Sequence, residues 1–240
     1  IHLVNMAVKF DQRKVKHQLL HISTSLLTVL LCVSYIHKAK AWHHIGRFWD
    51  SLVLPIVLFG EIGKLAISRY FEKNDRDTII SQQRKKSGLP SFKDIAGAFF
   101  LQAICTLLYG FTCIIFGAPV LQNYEQTFVL SLLLTLLTVS PTVFLLGMSG
   151  TLQVVFCENP DILTKSKDTT VELFKYNAVG AIFGAWAGSI VAPLDWDRDW
   201  QAYPIPNVIG TLLGCGLANI YICSKVLLST GKAYINKNRS

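Results

Sequence analysis

Three carboxylates alternate within one short stretch, Asp195, Asp197 and Asp199, with Arg198 among them and Trp196 and Trp200 as brackets. Alternating carboxylates can hold a divalent cation or position an amine. An oxygen-ligated cation needs about six donors, more than one loop supplies, and Arg198 cancels one charge beside them. The two indoles favour another use, because amphipathic aromatic rings settle where membrane meets water. The stretch, through Gln201, therefore reads as a hydrogen-bonded loop held at an interface by Trp196 and Trp200, and no metal is expected there.

Two further groups invite chemistry. Glu61 and Lys64 lie three apart within an apolar run. On a helix they share a face and can neutralise each other. Ionisable groups inside a membrane suggest a proton path or a lipid headgroup site. Lys64 also lies near enough to the end of its run to snorkel, which is a purely structural use. His17 and His21 are four apart, a spacing that metal ligands use, but no third ligand follows at a recognisable distance. They are expected to be interfacial histidines, like His37, His43 and His44. No Walker loop, dinucleotide fingerprint, nucleophile motif or His-Glu-x-x-His occurs, which weighs against a hydrolase or NTPase.

The elements that must position these groups are written in unbroken apolar blocks. Hydrophobic residues make up 51% of the 240 residues and the mean hydropathy is +0.40. A membrane-crossing helix needs about 20 mainly apolar residues. Six blocks meet that length closely enough, over about 19–36, 49–67, 95–118, 127–148, 177–193 and 206–228. The expected fold is all-α, a single transmembrane domain of six helices. Ser91 and Asp94 form a capping pair ahead of the third block. Pro55 and Pro141 fall inside blocks, where neighbouring groups can satisfy the freed carbonyls. The polar stretch 69–93 reads as a linker, and 158–175 has room for one short interfacial helix. All cysteines except Cys157 lie in apolar blocks and none forms Cys-x-x-Cys, so they read as small buried hydrophobes. The chain opens Ile-His-Leu-Val-Asn ahead of Met6 with no cleavable leader pattern, so the first block is expected to serve as its own insertion signal.

The formal charge of +8 is explained by topology, and nucleic acid is not expected as a partner. With six crossings, 18 Lys and Arg fall on the side of the termini and 4 on the other, with Lys64 inside a helix. The positive-inside rule then puts both termini in the cytosol and Asp195–Gln201 on the opposite face. Asn238-Arg239-Ser240 matches a glycosylation sequon but lies on the cytosolic side, where it goes unused.

Gly180, Gly184 and Gly188 form overlapping Gly-x-x-x-Gly units, and Gly210 and Gly214 form another. Such ridges let two backbones approach and gain dispersion contacts. Two uses stay open: docking onto a partner's helix, or packing the fifth helix against the sixth.

Two motifs carry a resemblance. The first is Gly184-Ala-Trp186-Ala-Gly188, then Pro193-Leu-Asp195-Trp196-Asp197-Arg198-Asp199-Trp200-Gln201, then Pro204-Ile205. The second is Phe116-Gly117-Ala118-Pro119 with Glu125-Gln-Thr127-Phe128 and Leu145-Leu146-Gly147. Together they resemble the PIG-F (phosphatidylinositol-glycan class F) family over about residues 95–230, while the first two helices carry little beyond hydropathy. Asp199 stands where the family usually has proline, and Val191-Ala192-Pro193 replaces its Pro-Ile-Pro.

The resemblance implies a role in glycosylphosphatidylinositol (GPI) anchor assembly in the endoplasmic reticulum membrane. Proteins of this family partner larger ethanolamine-phosphate transferases of the PIG-O or PIG-G kind. Those partners move phosphoethanolamine from phosphatidylethanolamine onto mannoses of the GPI precursor, on the lumenal side. The chain would then be a non-catalytic, cofactor-free subunit, with membrane lipids and the GPI precursor around it. Two alternatives are a lipid-transferring enzyme using Asp195 and Asp197, and a small transporter or lipid scramblase using Glu61 and Lys64.

Overall fold

The computed structural model describes residues 2–38, 44–74, 92–119, 122–156, 169–191, 194 and 198–237. Its regular structure is entirely helical. The helices are α1 (His2–Lys38), α2 (Val53–Asn74), α3 (Phe92–Ile115), α4 (Tyr124–Thr138), α5 (Ser140–Phe156), α6 (Thr169–Ser189) and α7 (Ile205–Lys237). A 3-10 turn, Asp199–Gln201, precedes α7. Among the described residues, three helical segments are long and apolar enough to cross a membrane: Val15–Lys38, Phe92–Ile115 and Ile205–Gly231.

Local chemistry sets the helix ends. The Ser51 hydroxyl accepts the Val53 N–H at 3.3 Å, opening α2. Pro55 sits in the first turn of that helix rather than in its interior. An N–H is unneeded there, so the ring causes no break. Pro206 likewise lies in the first turn of α7. The C-terminus of α3 closes on Gly117, whose φ is +95°. Ala118 N–H donates to the Cys113 carbonyl at 3.0 Å and Gly117 N–H to that of Ile114 at 3.0 Å. This is a Schellman closure, with Pro119 barring further helix. Ser91 lies outside the described residues, and α3 begins at Phe92 with Asp94 in its first turn.

The fourth apolar block is not one helix. Its hydrogen-bond ladder is first interrupted at Pro141, which cannot donate, although Val139 keeps helical angles (φ −97°, ψ −42°) and donates to the Thr135 carbonyl at 3.0 Å, where Ser140 Oγ also turns back at 3.3 Å. A second interruption falls at Gly147, with φ 73° and ψ 177° inside α5. Only glycine adopts that backbone without strain. Gly147→Ala is therefore expected to destabilise the protein by about 1 kcal/mol or more. A denaturation midpoint unchanged by that substitution would show that the break relaxes.

The short α4 is the centre of the molecule. Val129, Leu130, Leu133, Leu134, Leu136 and Leu137 are all buried. Its hydroxyls reach across to α3, Thr135 meeting Thr106 at 3.0 Å and Thr138 meeting Tyr109 at 2.9 Å. By contrast α3 lies at the edge, with Thr106 as its one buried residue. The second helix continues to Asn74, so the polar stretch after Arg69 starts as helix. Thr169–Lys175 forms the first turns of α6, and the rest of the 158–175 stretch, where a short interfacial helix is expected, lies outside the described residues.

Candidate functional site

The closest packing in the protein is between α6 and α7. The helices run antiparallel, with Gly180 against Gly214, Gly184 against Gly210 and Gly188 against Pro206. A Cβ added at Gly184 would stand 2.0 Å from the Gly210 carbonyl oxygen, and one at Gly214 2.0 Å from that of Gly180. These contacts are backbone on backbone, so nothing flexible can move aside. Polar side chains pin the seam at both ends. Asn207 Nδ2 donates to the Ala185 carbonyl at 3.0 Å, and Asn219 Nδ2 to Asn177 Oδ1 at 2.7 Å. Each glycine ridge is thus filled by the other, within one chain.

The seam fixes where α6 ends and α7 begins, and so carries the loop between them. Asp195, Trp196 and Asp197 lie outside the described residues. Arg198, Trp200 and Gln201 are within them, and Gln201 is the clasp. Its Nε2 donates to the Val191 carbonyl at 3.2 Å and to that of Leu194, while its Oε1 accepts the Arg198 N–H at 3.1 Å. One side chain therefore ties the end of α6 to the 3-10 turn. Trp200 packs onto the apolar core, whereas Arg198 and Asp199 are exposed. Gln201→Ala is expected to release the loop without unfolding the bundle, because it removes three local hydrogen bonds worth about 0.5–1.5 kcal/mol each. Faster proteolysis or amide exchange at residues 191–201, with unchanged exchange in α6 and α7, would show it. Unchanged exchange in the loop would deny the clasp.

Two residues the sequence left unremarked join this end of the bundle. Tyr203 OH donates to Thr127 Oγ1 at 3.0 Å. Burial pushes the Tyr203 hydroxyl up to about 12, so it stays protonated as the donor. Gly46 lies so close to Gln126 and Pro204 that a Cβ there would meet them at 2.5 and 2.8 Å. Glu125 Oε1 accepts the Phe48 N–H at 2.8 Å. The turn at 44–50, the start of α4 and the approach to α7 therefore converge. Glu125, Gln126 and Thr127 belong to one sequence motif, and Pro204 belongs to the other with Tyr203 beside it, so the fold brings the two motifs together. The signal that could have located Tyr203 was its place between Gln201 and Pro204.

The charged pair sits elsewhere, inside the bundle. Glu61 and Lys64 are 4% and 7% exposed and form a direct ion pair. Lys64 therefore does not snorkel to the surface. Towards the opposite end, the His17 and His21 rings meet edge to face with centroids 4.7 Å apart, and His21 Nε2 lies 2.7 Å from Ser68 Oγ. His21 is fully buried rather than interfacial. Among the described residues, no three His, Cys, Asp or Glu side chains converge on a metal-sized site.

The sequence matches the family described as GPI biosynthesis protein family Pig-F over residues 2–222. The chain belongs to the PIG-F family. That PIG-F match takes in α1 and α2, so the relationship extends well ahead of the two motifs. Curated relatives agree. A PIGF/3-ketodihydrosphingosine reductase fusion protein of Schizosaccharomyces pombe is 36% identical over 52% of this chain and 24% of its own length. Glycosylphosphatidylinositol anchor biosynthesis protein 11 of Pyricularia oryzae is 32% identical over 56% of this chain and 50% of its own. A human protein named GPI ethanolamine phosphate transferase, stabilizing subunit, is 30% identical over 42% of this chain and 44% of its own. The matched stretches thus span about half the relatives' length or less. No solved structure matches the chain.

Proposed function

We propose that the chain is the accessory, stabilising subunit of an ethanolamine-phosphate transferase of GPI-anchor assembly. It works in the endoplasmic reticulum membrane beside a larger catalytic subunit of the PIG-O or PIG-G kind. The partner transfers phosphoethanolamine from phosphatidylethanolamine to a mannose of the GPI precursor. The observation that carries this reading is PIG-F membership, together with similarity to a human relative named as a stabilizing subunit. Six crossings follow if α4 and α5 are two halves of one broken crossing. Both termini then lie in the cytosol, with the Gln201 clasp and its neighbours on the lumenal face.

The glycine ridges were one candidate for the partner's contact, and this chain's own backbone already fills them. The outward face of α3 offers an extended apolar surface instead, with Phe99, Phe100, Leu107, Leu108 and Phe111 all exposed. Helix association in lipid proceeds through such van der Waals surfaces. The lumenal loop, Asp195, Trp196, Asp197, Arg198, Trp200 and Gln201, supports the partner's lumenal domain.

Affinity capture of the intact chain in mild detergent tests the reading. A transferase subunit recovered in stoichiometric amount is the expected result. Recovery of the folded chain with no such subunit would overturn it.

A further inference from the structure

The interior of the bundle holds a small cavity, lined in part by polar groups, that the packing of the seam does not explain. Its volume is about 20 Å³, and it lies where α1, α2, α4, α6 and α7 meet. Ser25, Glu61, Lys64, Asn177 and Asn219 contribute its polar lining, and Val57, Leu137 and Leu212 are among the apolar walls. Two of those polar groups have an unmet hydrogen-bonding atom. Asn219 is fully buried, at 0% exposure, yet its Oδ1 has no hydrogen-bond partner. Ser25 is buried at 6%, and its Oγ likewise has none.

Turning the Asn219 amide over does not remove the problem. Its Nδ2 already donates to Asn177 Oδ1 at 2.7 Å and to the Cys215 carbonyl at 2.8 Å. Exchanging the two atoms would set oxygen against both of those acceptors. The orientation is therefore fixed, and a residue that lines the cavity carries an unmatched buried acceptor. An unmatched buried acceptor of this kind costs about 1–3 kcal/mol. Beside it, the Lys64 ammonium keeps protons beyond the one it gives Glu61, and the carboxylate keeps lone pairs. A water needs roughly 10–15 Å³ and two to four polar partners. The cavity meets both requirements, and it is too small for a lipid headgroup.

We propose that this cavity binds one ordered water molecule. The water donates to Asn219 Oδ1, exchanges a hydrogen bond with Ser25 Oγ, and is held by the Glu61–Lys64 pair. It joins α1 and α2 to the α6–α7 seam at the point where the ion pair is buried, and it hydrates that pair internally. The site is independent of which protein partners the chain.

A density map of the chain, in lipid nanodiscs or in its native complex, would decide the matter at a resolution that shows buried waters. The expected result is a peak within about 2.5–3.2 Å of both Asn219 Oδ1 and Ser25 Oγ. Ser25→Val, whose added methyls occupy the space, is expected to abolish the peak. An empty cavity in a wild-type map that shows other buried waters would overturn the proposal. So would a direct contact between Asn219 Oδ1 and Ser25 or Lys64. A peak that persists unmoved in Ser25→Val would overturn the assigned partners. The wild-type map suffices if the variant does not fold.

Discussion

Gly184→Leu is expected to abolish the folded protein itself. Even a single Cβ at that position would stand 2.0 Å from the Gly210 carbonyl oxygen and 2.7 Å from its carbon. The clash is with backbone on the facing helix, so relief requires α6 and α7 to separate. Separation would also break the Asn207–Ala185 and Asn219–Asn177 hydrogen bonds. Ordinary overpacking costs about 1–3 kcal/mol, and a clash along a rigid seam falls at or above the top of that range. The measurement is the monodisperse fraction of the detergent-solubilised chain expressed alone, without any partner. Most of it should be lost. Gly63→Ala is the matched control, because a Cβ there meets nothing within 4 Å and the helix gains propensity. A Gly184→Leu chain that folds normally but loses only its partner would restore the docking use of the ridge.

Breaking the buried ion pair is the second large effect. Glu61→Leu alone leaves the Lys64 ammonium unpaired at 7% exposure, and Lys64→Met alone leaves the carboxylate unpaired at 4%. Removing one member of such a pair costs about 3–5 kcal/mol, whereas replacing both by apolar residues of similar volume is often neutral or stabilising. Each single variant should therefore fall well below the wild type in thermal unfolding, and the double variant should recover most of the loss. The same cycle separates two uses of the pair. A structural pair predicts that the double variant regains GPI-anchor formation in cells. A double variant that is stably folded yet inactive would show that the charges work on a proton or lipid, as a transporter or scramblase requires.

The sequence announced some of this structure clearly and concealed the rest for physical reasons. The glycine ridges were legible because only backbone contact uses glycine at every fourth place on two successive helices. Which surface they meet was not, since a ridge in lipid matches any other ridge. Pro55 looked like an interior proline only because hydropathy does not locate a helix start, whereas Ser51 does. The fourth block read as one unbroken helix because Gly147 is small and lipid solubility says nothing about its backbone angle. Gly117 followed by Pro119 did signal a helix end. The loop's polarity and its tryptophans led to the expectation of an interface, but composition could not single out Gln201 as the residue that ties it. Tyr203 was hidden for the opposite reason: one aromatic beside a proline carries no pattern until Thr127 is placed across from it. Ser25 and Asn219, nearly two hundred residues apart, had no periodicity to link them at all.

The most direct measurement of the accessory role is phosphoethanolamine transfer by purified protein in lipid, with phosphatidylethanolamine as donor and a mannosylated GPI precursor as acceptor. The chain alone should show no turnover, the catalytic subunit prepared without it should be unstable and poorly active, and the two together should transfer. Turnover by this chain alone, in a preparation free of the larger subunit, would contradict the account.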